Sequence, residues 1–276
     1  MSRIEEALEK ASTLRSAPIP SIGRGFNRNR HLPPPPPEEV IRIDNPLLVT
    51  AYDPHTPAAE EYRKLKSIVV KLTKSDQFKN MLMVTSSIGN EGKTVSAINL
   101  AMSLAQEYDH TVMLIDADLR KPSVHQYLGI EKKAGLTECL MDGMEIKDVL
   151  IKTGIGRLSV LQAGRVVRNP AEIFSSQKFR NFFLEIKNRY PDRYIIIDTP
   201  PVLPFAEPRS LCPIVDGVLL VVKEGAVTLN SITETMECLK GTEMLGVIYN
   251  NATQDQLKDC RYFRQVEPQN APRQTN

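Results

Sequence analysis

Cysteine is scarce and unpaired. Cys139, Cys212, Cys238 and Cys260 form no C-x-x-C pair and no metal-ligand spacing, so they read as small apolar residues or bystanders of a reducing compartment. Long apolar runs are absent too. Nothing approaches the roughly 18–20 residues that a membrane helix needs, and the N-terminus has no apolar signal core. The expectation is a soluble, cytoplasmic protein with no direct membrane insertion, any membrane role being exercised through a partner. Charge of one sign is missing as well: 35 Lys and Arg stand against 33 Asp and Glu, a net +2. The charge balance therefore makes no case for nucleic acid. What remains is a chain of 276 residues, enough for one large α/β domain with a tail or two.

The most informative stretch is 82–94. A short apolar run ends at Thr85, a small polar loop follows, and a helix-forming stretch opens at Lys93. Strand, Gly-rich loop and helix in that order make a phosphate cradle. Gly89 and Gly92 let the backbone approach an anion. Lys93 brings a point charge to the outer phosphates, and Thr94 offers a hydroxyl to Mg²⁺. Ser87 replaces the first Gly of the usual G-x-x-x-x-G-K-[ST] pattern. Two further apolar runs end in acids: Val112–Ile115 leads into Asp116 and Asp118, and Tyr194–Ile197 into Asp198. In a parallel sheet these strand ends share one edge, where Asp116, Asp118 and Asp198 can converge on a metal beside the cradle. Each acid alone reads equally well as the cap of a following turn. Three of them behind a phosphate loop favour the metal.

Residues 1–16 form an N-terminal unit. Ser2 and Glu5 have capping-box spacing, and Ile4, Ala7, Leu8, Ala11 and Leu14 share one helical face. This is either a helix docked on the main domain or a docking peptide for another protein. Residues 17–49 read as a Pro-rich linker whose run Pro33 to Pro37 is an extended spacer. Thr56-Pro57 starts a helix that reaches about Leu72. On it Glu60, Arg63 and Lys66 form a ridge, either solvated or meeting another subunit. Strands are predicted at 81–85, 111–116, 158–162, 193–198, 216–222 and 244–249. Helices are predicted at 93–107, 123–128, 136–141, 145–151, 171–190, 206–212 and 229–240. Strands apolar on both faces imply a mostly parallel central sheet with helices on both sides, an α/β P-loop domain over 50–251. Residues 252–276 read as a flexible tail.

The segments Thr85–Thr94, Leu114–Pro122 and Ile196–Pro201, with Arg168–Ser176, resemble the bacterial tyrosine kinases of capsule and exopolysaccharide operons. That family belongs to the P-loop group that also holds the partition and division-site ATPases. The N-terminal helix resembles the branch found beside exosortase-linked loci. Ile88, where partition ATPases carry an extra lysine, separates the chain from that class. The resemblance implies an ATP-dependent protein-tyrosine autokinase using ATP and Mg²⁺. Backbone N–H groups of Gly89, Asn90, Glu91, Gly92, Lys93, Thr94 and Val95 would wrap the phosphates. Thr94, Asp116 and Asp198 would serve the metal, and Asp116 also the incoming hydroxyl. Asp118 and Arg120 would complete the second motif, and Asn250 would contact the base. Glu60, Arg63 and Lys66 resemble an E-x-x-R-x-x-R oligomerisation motif; Lys for the last Arg loses the bidentate fork and weakens the contact. Tyr262, flanked by Arg261 and Arg264, is the tail's one tyrosine and the candidate phosphoacceptor, where relatives carry a cluster. The implied partner is a membrane polysaccharide co-polymerase, which would place the protein at the cytoplasmic face of the inner membrane. The alternative is a nucleotide-switch ATPase of the same fold without tyrosine chemistry, acting as a regulatory partner of polysaccharide export.

Overall fold

The apolar runs of the sequence become the strands of one sheet in a computed structural model that describes residues 40–74, 77–107 and 110–253. The strands are β1 (Met81–Ser86), β2 (Thr111–Asp116), β3 (Ile151–Lys152), β4 (Leu158–Leu161), β5 (Arg193–Asp198), β6 (Gly217–Lys223) and β7 (Met244–Asn250). Their order is β3-β4-β2-β5-β1-β6-β7. Every neighbouring pair is parallel except β3 with β4.

The helices are α1 (Val49–Tyr52), α2 (Pro57–Thr73), α3 (Lys93–Ala105), α4 (Val124–Tyr127), α5 (Leu136–Asp142), α6 (Ile146–Val149), α7 (Pro170–Ser175), α8 (Gln177–Arg189), α9 (Glu207–Leu211) and α10 (Leu229–Cys238). Side chains alternate across each strand, so successive residues feed two cores. Met81, Met83, Ile195 and Ile197 pack with Leu136 of α5 and with Phe179 and Phe183 of α8. Leu82, Val84, Tyr194 and Ile196 pack with Val69 of α2 and with Leu100 and Leu104 of α3. Helices thus cover both faces of a sheet in which β1 is buried throughout and β2, β5 and β6 at all but one residue each, as the apolar runs required.

Three expectations change. The helix predicted at 171–190 is two helices. Ser176 turns extended (ψ 148°) and caps α8, its hydroxyl accepting from the Phe179 N–H. A short polar side chain that bonds its own backbone breaks the helical ladder in this way. The break lets Phe174, Phe179 and Phe183 stack, with successive centroids 4.4 and 4.6 Å apart. The helix predicted at 145–151 ends at Val149, and Ile151 and Lys152 pair antiparallel with β4. The linker expected over 17–49 does not run to residue 49. The Ile41 N–H donates to the Thr153 carbonyl, and Leu48 is fully buried. Asn99 of α3 receives the segment, donating to the Leu47 carbonyl and accepting from Thr50. The helix expected at 2–16, the prolines Pro33 to Pro37 and Tyr262 lie outside the described residues. Among the described residues no helix is long and apolar enough to cross a membrane.

If 40–49 belongs to the folded unit, Leu48→Ala lowers unfolding stability by about 2–5 kcal/mol in a denaturant titration, as burial of a whole leucine side chain implies. A change within error would return the segment to the linker.

Candidate functional site

The site begins where β1 stops. Loop 87–92 carries the chain into α3, whose N-cap, Gly92, is left-handed at φ +90°. A side chain there is excluded twice over: the backbone disfavours it, and an added Cβ would lie 2.1 Å from Nδ2 of Asn250. The first-turn N–H groups of α3 face outward, as a helix start leaves them, and supply the anion-binding end.

The loop is braced from behind. The Glu91 carboxylate is fully buried and accepts from the Ile88 N–H at 2.8 Å and the Lys223 N–H at 3.3 Å. Nδ2 of Asn250 donates to the Glu91 carbonyl at 2.8 Å. The ends of β6 and β7 thereby fix the cradle's shape. Neither Glu91 nor Asn250 lines the cavity in front of it. That cavity measures about 670 Å³ and is walled by Gly89, Asn90, Gly92, Lys93, Thr94 and Val95. Its other walls include Asp118, Arg120, Lys121 and Ser123 after β2, and Pro201 and Phe205 after β5.

Register brings the acids together: Asp116 and Asp198 are direct neighbours across β2 and β5. Asp118 Oδ2 accepts from Lys93 Nζ at 2.8 Å, and Asp198 Oδ1 lies 3.7 Å from the same nitrogen. Asp198 Oδ2 accepts from the Thr94 hydroxyl at 2.7 Å. Asp116 is held differently. Its two oxygens accept from the N–H groups of Asp118, Ser123 and Val124, so it shapes the turn after β2 from below the cavity.

Burial, then the charge of Asp198, raise the Asp116 carboxyl to about 8. Burial also raises Asp198, and Lys93 partly offsets it. For Lys93, burial works against the ammonium, but Asp198 and Asp118 outweigh it and its pKa is raised. A divalent cation suits this donor set. Asp198 Oδ1 is buried with no hydrogen-bond partner, and the Thr94 hydroxyl stands beside its other oxygen. Among the described residues no three acidic, His or Cys side chains close a metal cage. Magnesium shared between one or two protein oxygens and substrate phosphates needs none.

One expected group sits elsewhere. Glu60, Arg63 and Lys66 are on α2 and make contacts within the chain: Glu60 pairs with Arg63, Arg63 also donates to the Pro54 carbonyl, and Lys66 Nζ lies 2.7 Å from Glu107. Sequence reasoning missed the bracing carboxylate of Glu91 and the pair Phe205–Glu207. The guanidinium of Arg120 lies 4.4 Å above the Phe205 ring, and its Nε donates to Glu207 Oε1 at 2.7 Å. The signal for that pair was position alone, on the loop beyond Asp198 at the same sheet edge.

Known proteins resemble this chain over most of its length. The AAA-domain family matches residues 79–245. Tyrosine-protein kinase YwqD of Bacillus subtilis (strain 168) is 31% identical over 218 residues, covering 78% of this chain and 90% of that protein. Among solved structures, the chimerical protein CapA2B2 is 27% identical with a TM-score of 0.69, over 75% of this chain and 90% of that one. The kinase domain of Escherichia coli tyrosine kinase ETK is 29% identical with a TM-score of 0.66, over 75% and 82%.

Two outcomes test the geometry. A carboxyl raised to about 8 keeps its proton in the fold where the unfolded chain, with the ordinary value of 3.8, has lost it. The resulting stability is complete below 3.8 and disappears as pH rises to about 8. Melting temperatures of metal- and nucleotide-free protein should fall across that window, and less steeply in Asp116→Asn; parallel slopes would contradict the raised carboxyl. Asn250→Ala removes the brace without touching the cavity wall. It should weaken Mg-ATP and Mg-GTP in equal proportion in fluorescence titrations, whereas a loss confined to ATP would make Asn250 a base contact.

Proposed function

This chain belongs to the family of bacterial tyrosine-protein kinases, and we propose that it is an ATP-dependent protein-tyrosine autokinase regulating exopolysaccharide synthesis or export. One observation carries the reading. The ammonium of Lys93, on the first residue of α3 and on the wall of a cavity of nucleotide size, faces Asp118, just beyond β2, at 2.8 Å and Asp198, at the end of β5, at 3.7 Å.

Phosphoryl transfer needs mainly positioning and neutralisation of charge. In this proposal the loop N–H groups and Lys93 hold the β- and γ-phosphates. Thr94 and Asp198 hold magnesium, which supplies positive charge to the phosphate oxygens. Asp118, the carboxylate on the cavity wall, takes the role that the resemblance implied for Asp116: it orients the incoming phenol and takes its proton. Asp116, whose oxygens are occupied by backbone N–H groups, fixes the turn that carries Asp118. The phenol oxygen bonds to the terminal phosphorus as the bond to ADP breaks. The acceptor is Tyr262 of a neighbouring copy, and α2, with Glu60, Arg63 and Lys66, contributes to the assembly. The partner is the cytoplasmic segment of a membrane polysaccharide co-polymerase, which brings the protein to the inner membrane. Placement in the exosortase-linked branch belongs to the same proposal and rests on the N-terminal helix signature.

A specific observation keeps the nucleotide-switch reading in play: the tail offers a single tyrosine. Purified protein with Mg-ATP and the partner's segment should gain phosphate on Tyr262 by mass spectrometry, and Tyr262→Phe should abolish it. Lys93→Met should lower turnover on the order of 10²-fold or more. Hydrolysis of ATP with no phosphotyrosine on any residue would favour the switch.

A further inference from the structure

Glu207 is 1% exposed, yet one of its oxygens, Oε2, has no hydrogen-bond partner. Its other oxygen accepts from Nε of Arg120 at 2.7 Å. A buried carboxylate with an idle oxygen adds little to stability, because its desolvation costs as much as its single pair returns. Its geometry has another use. The guanidinium of Arg120 is held through Nε by Glu207, and its central carbon lies over the Phe205 ring, 4.4 Å from the centroid. Among the described residues no hydrogen bond engages its two terminal nitrogens. Arg120 and Phe205 line the cavity, and Glu207 does not. Engaging Nε and seating the guanidinium over an aromatic ring leaves the N–H groups of the two terminal nitrogens as the free donors. That pair matches the oxygens of a phosphate. Arg120 shares the cavity with Lys93 and Asp118, and both Lys93 and Asp118 line it.

We propose that Glu207 is the positioning residue for Arg120: with Phe205 it holds the guanidinium so that its terminal nitrogens bind the terminal phosphate of the nucleotide, the group that ADP lacks. Arg120 then discriminates triphosphate from diphosphate and steadies the phosphoryl group in transit, while Glu207 never touches the nucleotide. The inference rests on the kinase reading for the identity of the nucleotide, but its test is read by binding without any tyrosine phosphorylation.

The test compares the full chain with Glu207→Gln, Glu207→Ala, Arg120→Lys, Arg120→Ala and the double variant Glu207→Ala/Arg120→Ala. Calorimetry measures Mg-ADP and the Mg complex of β,γ-imido-ATP. We expect Glu207→Ala to bind Mg-ADP within about twofold of the parent and to lose roughly tenfold or more in imido-ATP affinity. Glu207→Gln should lose less, since its amide oxygen still accepts from Nε. Arg120→Lys should lose the discrimination with Glu207 intact. In turnover, kcat should fall while the inhibition constant of Mg-ADP holds. The double variant should lose no more than Arg120→Ala alone, as two residues acting through one guanidinium are not additive. Equal losses for both nucleotides, or a double loss that multiplies the single ones, would overturn the proposal and leave Glu207 a structural residue. If Glu207→Ala fails to fold, as its melting curve would report, Glu207→Gln and Arg120→Lys decide by the same criteria. Failure of the parent to bind either nucleotide would overturn the kinase reading and this inference with it. A parent that binds both, beside Glu207 variants that do so unchanged, would overturn the inference alone.

Discussion

Three carboxylates crowd one dry edge of a parallel sheet, and the surrounding structure is organised around keeping them there. Asp116 and Asp198 are fully buried side by side; burial raises both carboxyls, and the charge of Asp198 raises Asp116 further. Removing charges from water is costly unless hydrogen bonds and opposite charge replace the lost solvent. Each acid has its own answer. Asp116 takes backbone N–H groups, Asp118 takes the Lys93 ammonium, and Asp198 takes the Thr94 hydroxyl with Lys93 nearby. One oxygen of Asp198 is left over, and a cation brought with phosphates is the group it suits.

A site that neutralises charge must also hold its shape, because preorganised dipoles act without reorganising during the reaction. Here the shape comes from behind the cradle. Glu91 reaches back to Ile88 and across to Lys223, and Asn250 clasps the Glu91 carbonyl. Gly92 is required because the amide of Asn250 occupies the place of its missing side chain. The edge strand β7 is therefore tied to the phosphate loop, and the chain leaves β7 toward the tail that carries Tyr262.

The far wall follows the same economy. Arg120 is oriented by a buried carboxylate and an aromatic face supplied from beyond β5. Lysine and arginine divide the work: a point charge at the helix start, and a planar fork fixed by its neighbours. Both arms hang from the carboxyl ends of central strands, where open α/β sheets place their ligands.

Much of this was legible in the sequence because it is written locally. The apolar runs into Asp116 and Asp198, the order of strand, loop and helix around Lys93, and the cap at Thr56 need only neighbouring residues to be read. The sequence by itself determined the fold class, the cradle and the chemical character of the site. Contacts between distant segments were decided by the tertiary structure alone. Leu48 entered the core because α3 presents Asn99 to the backbone beside it. Ser176 broke a helix so that three phenylalanines could stack. Glu91, Asn250, Phe205 and Glu207 gained their roles from strand order, which sets β6 and β7 behind the loop and the segment after β5 across from Arg120. Hydrophobic periodicity specifies which face of an element is buried; it carries no information about which polar side chain of another element will meet it there.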